Sequence, residues 1–220
     1  MSKNSSQRSK YIVLFCTFIF PLLFFLFLAS GKVNFKKLPI LSERVLVNYP
    51  TLPFSDKVTV LSFIGENPSL ESYQKVLNLY QVIYKSMAKY QKFKILTIVP
   101  NSQLNSIKKL KKELRFVGAT SLEKWDFISL PSSEIQSLFE SLKTPYAFDA
   151  RKGISEVFIV DESLNLRGRT DDKDIESGLL YGYDAGSVSI LKNKLRDDLK
   201  VIFYESKFAV KEPILIKDEE

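Results

Sequence analysis

A chain of 220 residues with one cysteine and no histidine cannot form an intrachain disulfide, a cysteine–histidine metal cluster or a histidine-based catalytic triad. Its net charge of +7 does not indicate a nucleic-acid partner, because six basic and no acidic residues precede Leu38. From Leu38 onward there are 26 basic and 25 acidic residues, so this part is nearly neutral and we expect no nucleic acid to bind it.

The first predicted element is a membrane-spanning helix over residues 11–30, after a short N-terminal arm of residues 1–10. The segment has no charged residue, and about 20 apolar residues suffice to cross a bilayer. Pro21 lies in its middle, which membrane helices tolerate as a kink. A cleaved signal peptide is the alternative, but Leu28-Ala29-Ser30 is a poor cleavage sequence.

The orientation of this anchor is not decided by charge, because three basic residues flank it on each side. They are Lys3, Arg8 and Lys10 before it and Lys32, Lys36 and Lys37 after it. A short N-terminal arm commonly stays in the cytoplasm, so we expect a single-pass protein whose domain lies on the extracytoplasmic, periplasmic side. The lipid bilayer is its first expected partner, since the flanking lysines suit anionic head groups.

Residues 31–55 are polar and interrupted by prolines, which predicts a linker that leads into a domain over residues 56–212. A charged, solvated tail is expected over 213–220. Within the domain we predict strands over 58–65, 93–99 and 125–128, helices from Pro68 to Met87, over 103–115 and over 132–141, a hairpin of 156–160 with 166–169, and a last helix over 187–207.

The N-terminal ends of two predicted helices have residues that are typical of N-caps. Asn67 precedes Pro68, as an N-cap precedes proline at the first helical position, and Ser132 or Ser133 follows Pro131. In the first helix, apolar and tyrosine side chains recur every three or four residues, which predicts a face packed on a sheet. They are Tyr73, Val76, Leu77, Tyr80, Ile83, Tyr84 and Met87.

The order of these elements predicts an α/β fold in which a mixed sheet is covered by helices on both faces. It is the order of a thioredoxin-like fold with the additional helix found in peroxiredoxins. The N-terminal transmembrane helix precedes this domain.

Several short segments resemble the Sco/SenC proteins, the membrane-anchored, thioredoxin-like copper chaperones of cytochrome oxidase. They are the anchor, Lys37-Leu-Pro-Ile40, Leu61-Ser-Phe-Ile-Gly-Glu-Asn-Pro68, the hairpin Val157–Asp161 with Leu166–Arg169, and Tyr183-Asp-Ala185. Around the hairpin and the last helix the chain resembles the divergent Sco-like membrane proteins of the Bacteroidetes. The resemblance implies the same fold and a protein partner, for which a respiratory complex met during oxidase assembly is the candidate.

The residues that hold copper in this family are missing. The resemblance places the two family cysteines at Asn67 and Glu71 and the family histidine near Gly153 or Ile154. Copper(I) prefers thiolates to the oxygen atoms of Asn and Glu, and disulfide exchange needs a thiolate. We therefore expect no catalytic residue, metal or cofactor, and a non-enzymatic protein that acts by binding a partner.

An alternative is a divergent protein that binds metal, or takes part in redox chemistry, through oxygen ligands such as Glu66, Glu71 or Asp149.

The acidic run Asp171–Asp174 lacks the glycine and later glutamate of an EF-hand, so a solvated turn is the simpler interpretation. Asp161 to Asn165 has the composition of a hairpin turn. The Ser86-x-x-Lys89 spacing falls late in a helix and predicts no catalytic pair.

Lys108, Lys109, Lys111 and Lys112 form the densest basic run of the domain. On a helix they would point outward while Ile107, Leu110 and Leu114 point inward, and a solvated face is the simplest interpretation. A contact with an anionic membrane surface is the other hypothesis.

Overall fold

The computed structural model describes residues 10–29, 37–54, 56–66, 68–119, 121–149 and 153–209. The chain divides into two compact units, Met1–Lys36 and Lys37–Glu220. In the first, residues 10–29 form helix α1, whose turns at Phe15–Ile19 are π-helical. Within the described residues, α1 contains one stretch, Lys10–Phe27, that is long and apolar enough to cross a membrane. No side chain of this stretch is buried.

Within its described residues, the second unit is built on a seven-stranded mixed sheet. Its strands are β1 (Ile40–Ser42), β2 (Val58–Phe63), β3 (Phe93–Pro100), β4 (Trp125–Leu130), β5 (Glu156–Val160), β6 (Leu166–Arg167) and β7 (Tyr183–Asp184). The order across the sheet is β1-β6-β5-β2-β3-β4, and β7 pairs with β5. Strands β2, β3 and β4 are parallel, whereas β5 is antiparallel to β2, β6 and β7. The predicted hairpin is confirmed, while the short strands β1 and β7 were not predicted.

Four helices accompany this sheet in the part of the chain that the structure describes. They are α2 (70–87), α3 (Leu104–Phe116), α4 (Ser132–Glu140) and α5 (188–209). Helices α2 and α3 are the crossover connections between parallel strands, so the predicted β-α-β-α alternation is confirmed.

The two faces of the sheet bury separate apolar clusters, because side chains alternate along each strand. On one face, Val58, Val60 and Ile95 pack under helices α2, α3 and α5. On the other face, Leu61 and Leu96 pack under α4 and residues 45–54. The sheet is therefore covered on both sides, as the sequence predicts.

Residues 37–54 are part of the folded domain, whereas the sequence predicted that they belong to a linker. Leu46, Leu52 and Phe54 are buried in the core, and Leu38 lies on the opposite face. Proline and polar residues suggested a linker, but the apolar residues between them fill the space beside α4. The compact unit begins at Lys37, and not at residue 56.

Two capping predictions are corrected by the structure. Helix α2 begins at Leu70, and its N-cap is Ser69, whose Oγ accepts a hydrogen bond from the backbone N–H of Ser72. The predicted cap, Asn67, lies outside the described residues. Helix α4 begins after Pro131 without a side-chain cap, because the hydroxyl of Ser132 donates instead to Glu66.

Candidate functional site

A cleft opens where β2 ends and α2 begins, and the segment that precedes β5 forms its other wall. We call it the α2 cleft; it is lined by Gly65, Glu66, Pro68, Ser69, Glu71, Ser72, Lys75, Asp149, Gly153 and Ser155. It lies at the carboxyl end of a central parallel strand, where α/β sheets commonly bind ligands.

The centre of the α2 cleft is occupied by an ion pair. The ammonium of Lys75 lies 2.8 Å from a Glu71 carboxylate oxygen, one helical turn away, and donates a hydrogen bond of 2.7 Å to the hydroxyl of Ser155. The hydrogen bond and the charge of Lys75 lower the pKa of Glu71. These contacts join α2 to the segment before β5 through polar atoms alone.

The Lys75–Ser155 contact has the composition of a catalytic Ser–Lys pair, but its geometry does not supply a base. A lysine activates a serine only when the amine is neutral. Here the amine of Lys75 lies 2.8 Å from the carboxylate of Glu71 and donates to the hydroxyl of Ser155, whereas a base would accept the proton of that hydroxyl. The pair is therefore a structural bridge across the cleft.

The far wall of the α2 cleft approaches the β2–α2 loop closely at Gly153. A side-chain Cβ at this position would lie 3.0 Å from the backbone nitrogen of Gly65, tighter than an ordinary contact. The backbone N–H of Gly153 donates to the Asp149 carboxylate at 2.8 Å, which holds the turn. Glycine therefore fits at one of the two positions, Gly153 and Ile154, near which the resemblance places the family histidine.

The site residues predicted from sequence fall in two places. Glu71 and Gly153 line the α2 cleft, Ile154 lines the cavity beside it, and Asn67 lies outside the described residues. The four lysines of the basic run lie on α3 and are exposed.

The oxygen-ligand alternative gains no support from the geometry. Glu66, Glu71 and Asp149 all line the cleft. Glu66 accepts a hydrogen bond from Ser132 and Glu71 pairs with Lys75. Within the described ranges, no three acidic, cysteine or histidine side chains gather closely enough to hold a metal ion.

Lys75 and Ser155 were not identified from the sequence. The Glu71-x-x-x-Lys75 spacing is a readable signal, because residues four apart on a helix are neighbours. Ser155 carries no such signal, since it is 80 residues away from its partner.

A second polar cluster begins at Asp172, which is buried, whereas Asp171, Lys173 and Asp174 of the same predicted turn are exposed. Asp172 is 5% exposed and accepts a hydrogen bond of 2.6 Å from Lys194. Arg169 makes two hydrogen bonds to Asp198, which also accepts from the hydroxyl of Tyr183. Burial, and then the charge of Asp198, raises the pKa of Tyr183. The cluster is inside the fold, and sequence patterning missed it because its members come from separate elements.

No family model matches the sequence, and no curated protein matches it. Among solved structures, BsSco, described as a member of the Sco family of cytochrome c oxidase assembly proteins, aligns with a TM-score of 0.51 at 14% identity over 76% of this chain and 98% of that chain. A SCO1/SenC family lipoprotein of Bacillus anthracis aligns with a TM-score of 0.46 at 10% identity, over 78% and 98% of the two chains. Copper-bound ScoI of Arabidopsis thaliana aligns with a TM-score of 0.43 at 12% identity, over 67% and 86%.

At these identities the similarity concerns the fold. The alignment with BsSco spans nearly all of that protein. The domain that follows α1 is therefore a thioredoxin-like domain with the fold of a Sco protein.

Proposed function

We propose that this chain is a membrane-anchored, Sco-like protein that binds a protein partner and catalyses no reaction itself. The observation that carries the proposal is the ion pair of Glu71 with Lys75 in the α2 cleft, at the place where the resemblance puts a copper-binding thiolate. A carboxylate paired with an ammonium has neither the softness that copper(I) selects nor the nucleophilicity of a thiolate.

The α2 cleft suits a peptide segment better than a metal ion. It offers hydroxyl groups at Ser69 and Ser72 and charges of both signs at Glu71 and Lys75. Beside them, the side chain of Leu70 is 87% exposed at the start of α2. An apolar side chain among hydrogen-bonding groups is the usual composition of a protein-binding surface.

The identity of the partner is proposed from the resemblance. BsSco is described as belonging to a family of cytochrome c oxidase assembly proteins. We propose that this chain contributes to the assembly of a respiratory oxidase on the extracytoplasmic side of the membrane, with α1 as the anchor. The chain would then bind the oxidase or its assembly partner without delivering copper.

A copper(I) titration tests the absence of metal chemistry. The full chain in detergent, carrying Cys16→Ser so that the lone thiol cannot contribute, is titrated against the chromogenic chelator bathocuproine disulfonate. We expect no stoichiometric binding. The matched control adds Asn67→Cys, Glu71→Cys and Ile154→His to the same chain and is expected to bind one copper(I). Tight one-to-one binding by the chain that retains Asn67 and Glu71 would overturn the proposal.

A deletion tests the assembly role. In cells that lack this chain, cytochrome c oxidase activity is expected to fall, and both the chain and its Cys16→Ser variant should restore it, because no thiol is required. Unchanged oxidase activity in the deleted cells would contradict the assembly role. Restoration by the chain but not by Cys16→Ser would contradict the thiol-independent mechanism.

A further inference from the structure

The outer surface of α3 is a basic face, formed by Lys108, Lys112 and Arg115 together with Phe116. Lys112 follows Lys108 by four residues, and Arg115 and Phe116 follow Lys112 by three and four, so all lie on the side opposite Leu110 and Leu114. Leu110 and Leu114 are buried against the sheet, whereas all four residues of the basic face are exposed. The orientation of α3 is therefore determined by its apolar side, and its basic face points to solvent.

The charge of α3 is strongly one-sided. The helix has four lysines, one arginine and a single acidic residue, Glu113, which is only partly exposed. None of its basic side chains forms an ion pair with any other residue that the structure describes. Elsewhere the domain neutralises many of its cations, so this helix retains an unbalanced positive field.

The four lysines of the basic run do not have the same role. The ammonium of Lys109 lies 4.8 Å from the ring centre of Tyr73 on α2, and that of Lys111 lies 5.4 Å from the ring centre of Phe127 on β4. These cation–π contacts direct Lys109 and Lys111 to the two flanks of the helix. Lys108 and Lys112 remain as the outward pair.

The two ends of α3 expose large apolar side chains. Phe116 is 89% exposed and Leu104 is 53% exposed. They are twelve positions apart in the sequence, which is about 18 Å along the helix. Cations between exposed apolar side chains are typical of helices that lie on a bilayer, where the charges meet head groups and the apolar groups enter the acyl boundary.

We propose that the basic face of α3 docks on an anionic bilayer surface, with Phe116 inserted at the level of the head groups. This inference rests on the anchoring by α1 that belongs to the proposed function, and it is independent of the partner that the α2 cleft binds. Charge complementarity favours anionic lipid, and the exposed phenyl ring favours a bilayer over a soluble polyanion, which offers it no apolar phase. Docking would hold the domain in one orientation on the membrane.

The test uses the full chain in lipid nanodiscs made of phosphatidylcholine alone or mixed with phosphatidylglycerol. Phe116→Trp places an indole at the contact, and lipids with brominated acyl chains quench a ring that enters the boundary. The chain has one native tryptophan, Trp125, which is buried, so the parent protein measures the background. We expect quenching above this background only in discs that contain phosphatidylglycerol.

Charge variants identify the surface. Adding Lys108→Gln, Lys112→Gln and Arg115→Gln to Phe116→Trp is expected to shift the docking equilibrium about a hundredfold and to return quenching to background. The matched control removes the same charge elsewhere, through Lys85→Gln, Lys173→Gln and Lys192→Gln, and should retain quenching. These three lysines are exposed in α2, in the turn before β7 and in α5.

Co-elution of the chain with the discs reports insertion of α1 separately. If the chain enters the discs and the quenching of Phe116→Trp stays at background in both lipid mixtures, the docking proposal is overturned while the anchoring stands. Equal loss of quenching in the control variant would also overturn it, because the effect would then come from net charge and not from α3. Failure to enter the discs would overturn the anchoring and the docking together.

Discussion

Arg167 is the residue on which three parts of the domain converge. Its guanidinium is buried and donates to the backbone carbonyl of Leu38, to Asp161 at 3.0 Å and to Glu205 at 2.6 Å. The same Glu205 accepts from the backbone N–H of Leu38. The start of the domain, the β5–β6 hairpin and α5 are thereby joined through one side chain.

Replacing Arg167 is expected to destabilise the domain strongly. Arg167→Ala leaves Asp161 and Glu205 without their cation in a poorly solvated site, and breaking a buried pair in this way costs about 3 kcal/mol. Urea denaturation followed by circular dichroism measures the change. Arg115→Ala, which removes an exposed arginine from α3, is the control and should change the free energy of unfolding by less than about 0.5 kcal/mol. Equal effects of the two variants would contradict the assigned role.

Asp172 gives the domain a predictable response to acid. Burial disfavours its carboxylate, but the hydrogen bonds from Lys194 and from the backbone N–H of Asp174, with the charges of Lys194 and Arg169, outweigh burial and lower its pKa. Because the folded-state pKa is below the unfolded value of about 3.9, this contribution is fully present above that value. It is lost as the pH falls through the folded-state pKa.

The prediction for Asp172 is therefore a pH-dependent difference. Asp172→Asn should lower the free energy of unfolding by about 1–3 kcal/mol at pH 7, because Lys194 loses a buried anionic partner. The difference from the parent chain should shrink as the pH is lowered below about 3.9. Thermal unfolding at a series of pH values measures it, and a difference that stays constant with pH would argue against the carboxylate as the cause.

At the scale of elements, the junction after β6 depends on a glycine. Arg169 and Leu180 pair through backbone hydrogen bonds of 2.9 and 3.1 Å, and this brings the Leu180 carbonyl against Gly168. A Cβ at Gly168 would overlap that carbonyl oxygen and the side chain of Leu41. The absence of a side chain is what allows the two segments to pair.

Gly168→Ala is expected to cost about 3 kcal/mol, because backbone must move to admit the methyl group. Gly118→Ala is the informative comparison. Gly118 has a φ of +94° and open space around its Cβ position, so only the backbone conformation is penalised, by about 1 kcal/mol. Denaturant unfolding measures the free energy of unfolding of both variants. A larger decrease for Gly118→Ala than for Gly168→Ala would refute the steric argument.

At the scale of the whole molecule, the domain needs residues 37–54. Five apolar side chains of this segment are buried, and each contributes about 1.5–3 kcal/mol. They are Leu38, Val45, Leu46, Leu52 and Phe54. Their sum is on the order of 10 kcal/mol, which equals the whole stability of a typical domain.

A chain that begins at residue 37 is therefore expected to fold cooperatively, whereas one that begins at residue 56 is not. The shorter chain also loses the Leu38 carbonyl that Arg167 binds. Near-ultraviolet circular dichroism and thermal unfolding distinguish the two outcomes. A cooperative transition in the shorter chain would show that residues 37–54 are not needed for the domain to fold.

The sequence by itself determined the apolar helix and the alternation of strands and helices, because both depend on local periodicity and composition. It also showed that the residues after α1 contain no thiol and no imidazole, since the one cysteine is Cys16 and histidine is absent. The fold class followed from the order of the elements. These features need no knowledge of distant contacts.

The tertiary structure decided which polar residues meet. Lys75 reaches Ser155, Arg167 reaches Leu38 and Glu205, and Asp172 is buried under Lys194, although long stretches of sequence separate most of these pairs. Tertiary contacts also decided where the domain begins. They decided as well which lysines of α3 contact aromatic rings and which point to solvent. Whether a polar side chain is solvated or buried depends on the residues that the fold places beside it. Local sequence does not show which residues these are, because most of them are distant in the chain.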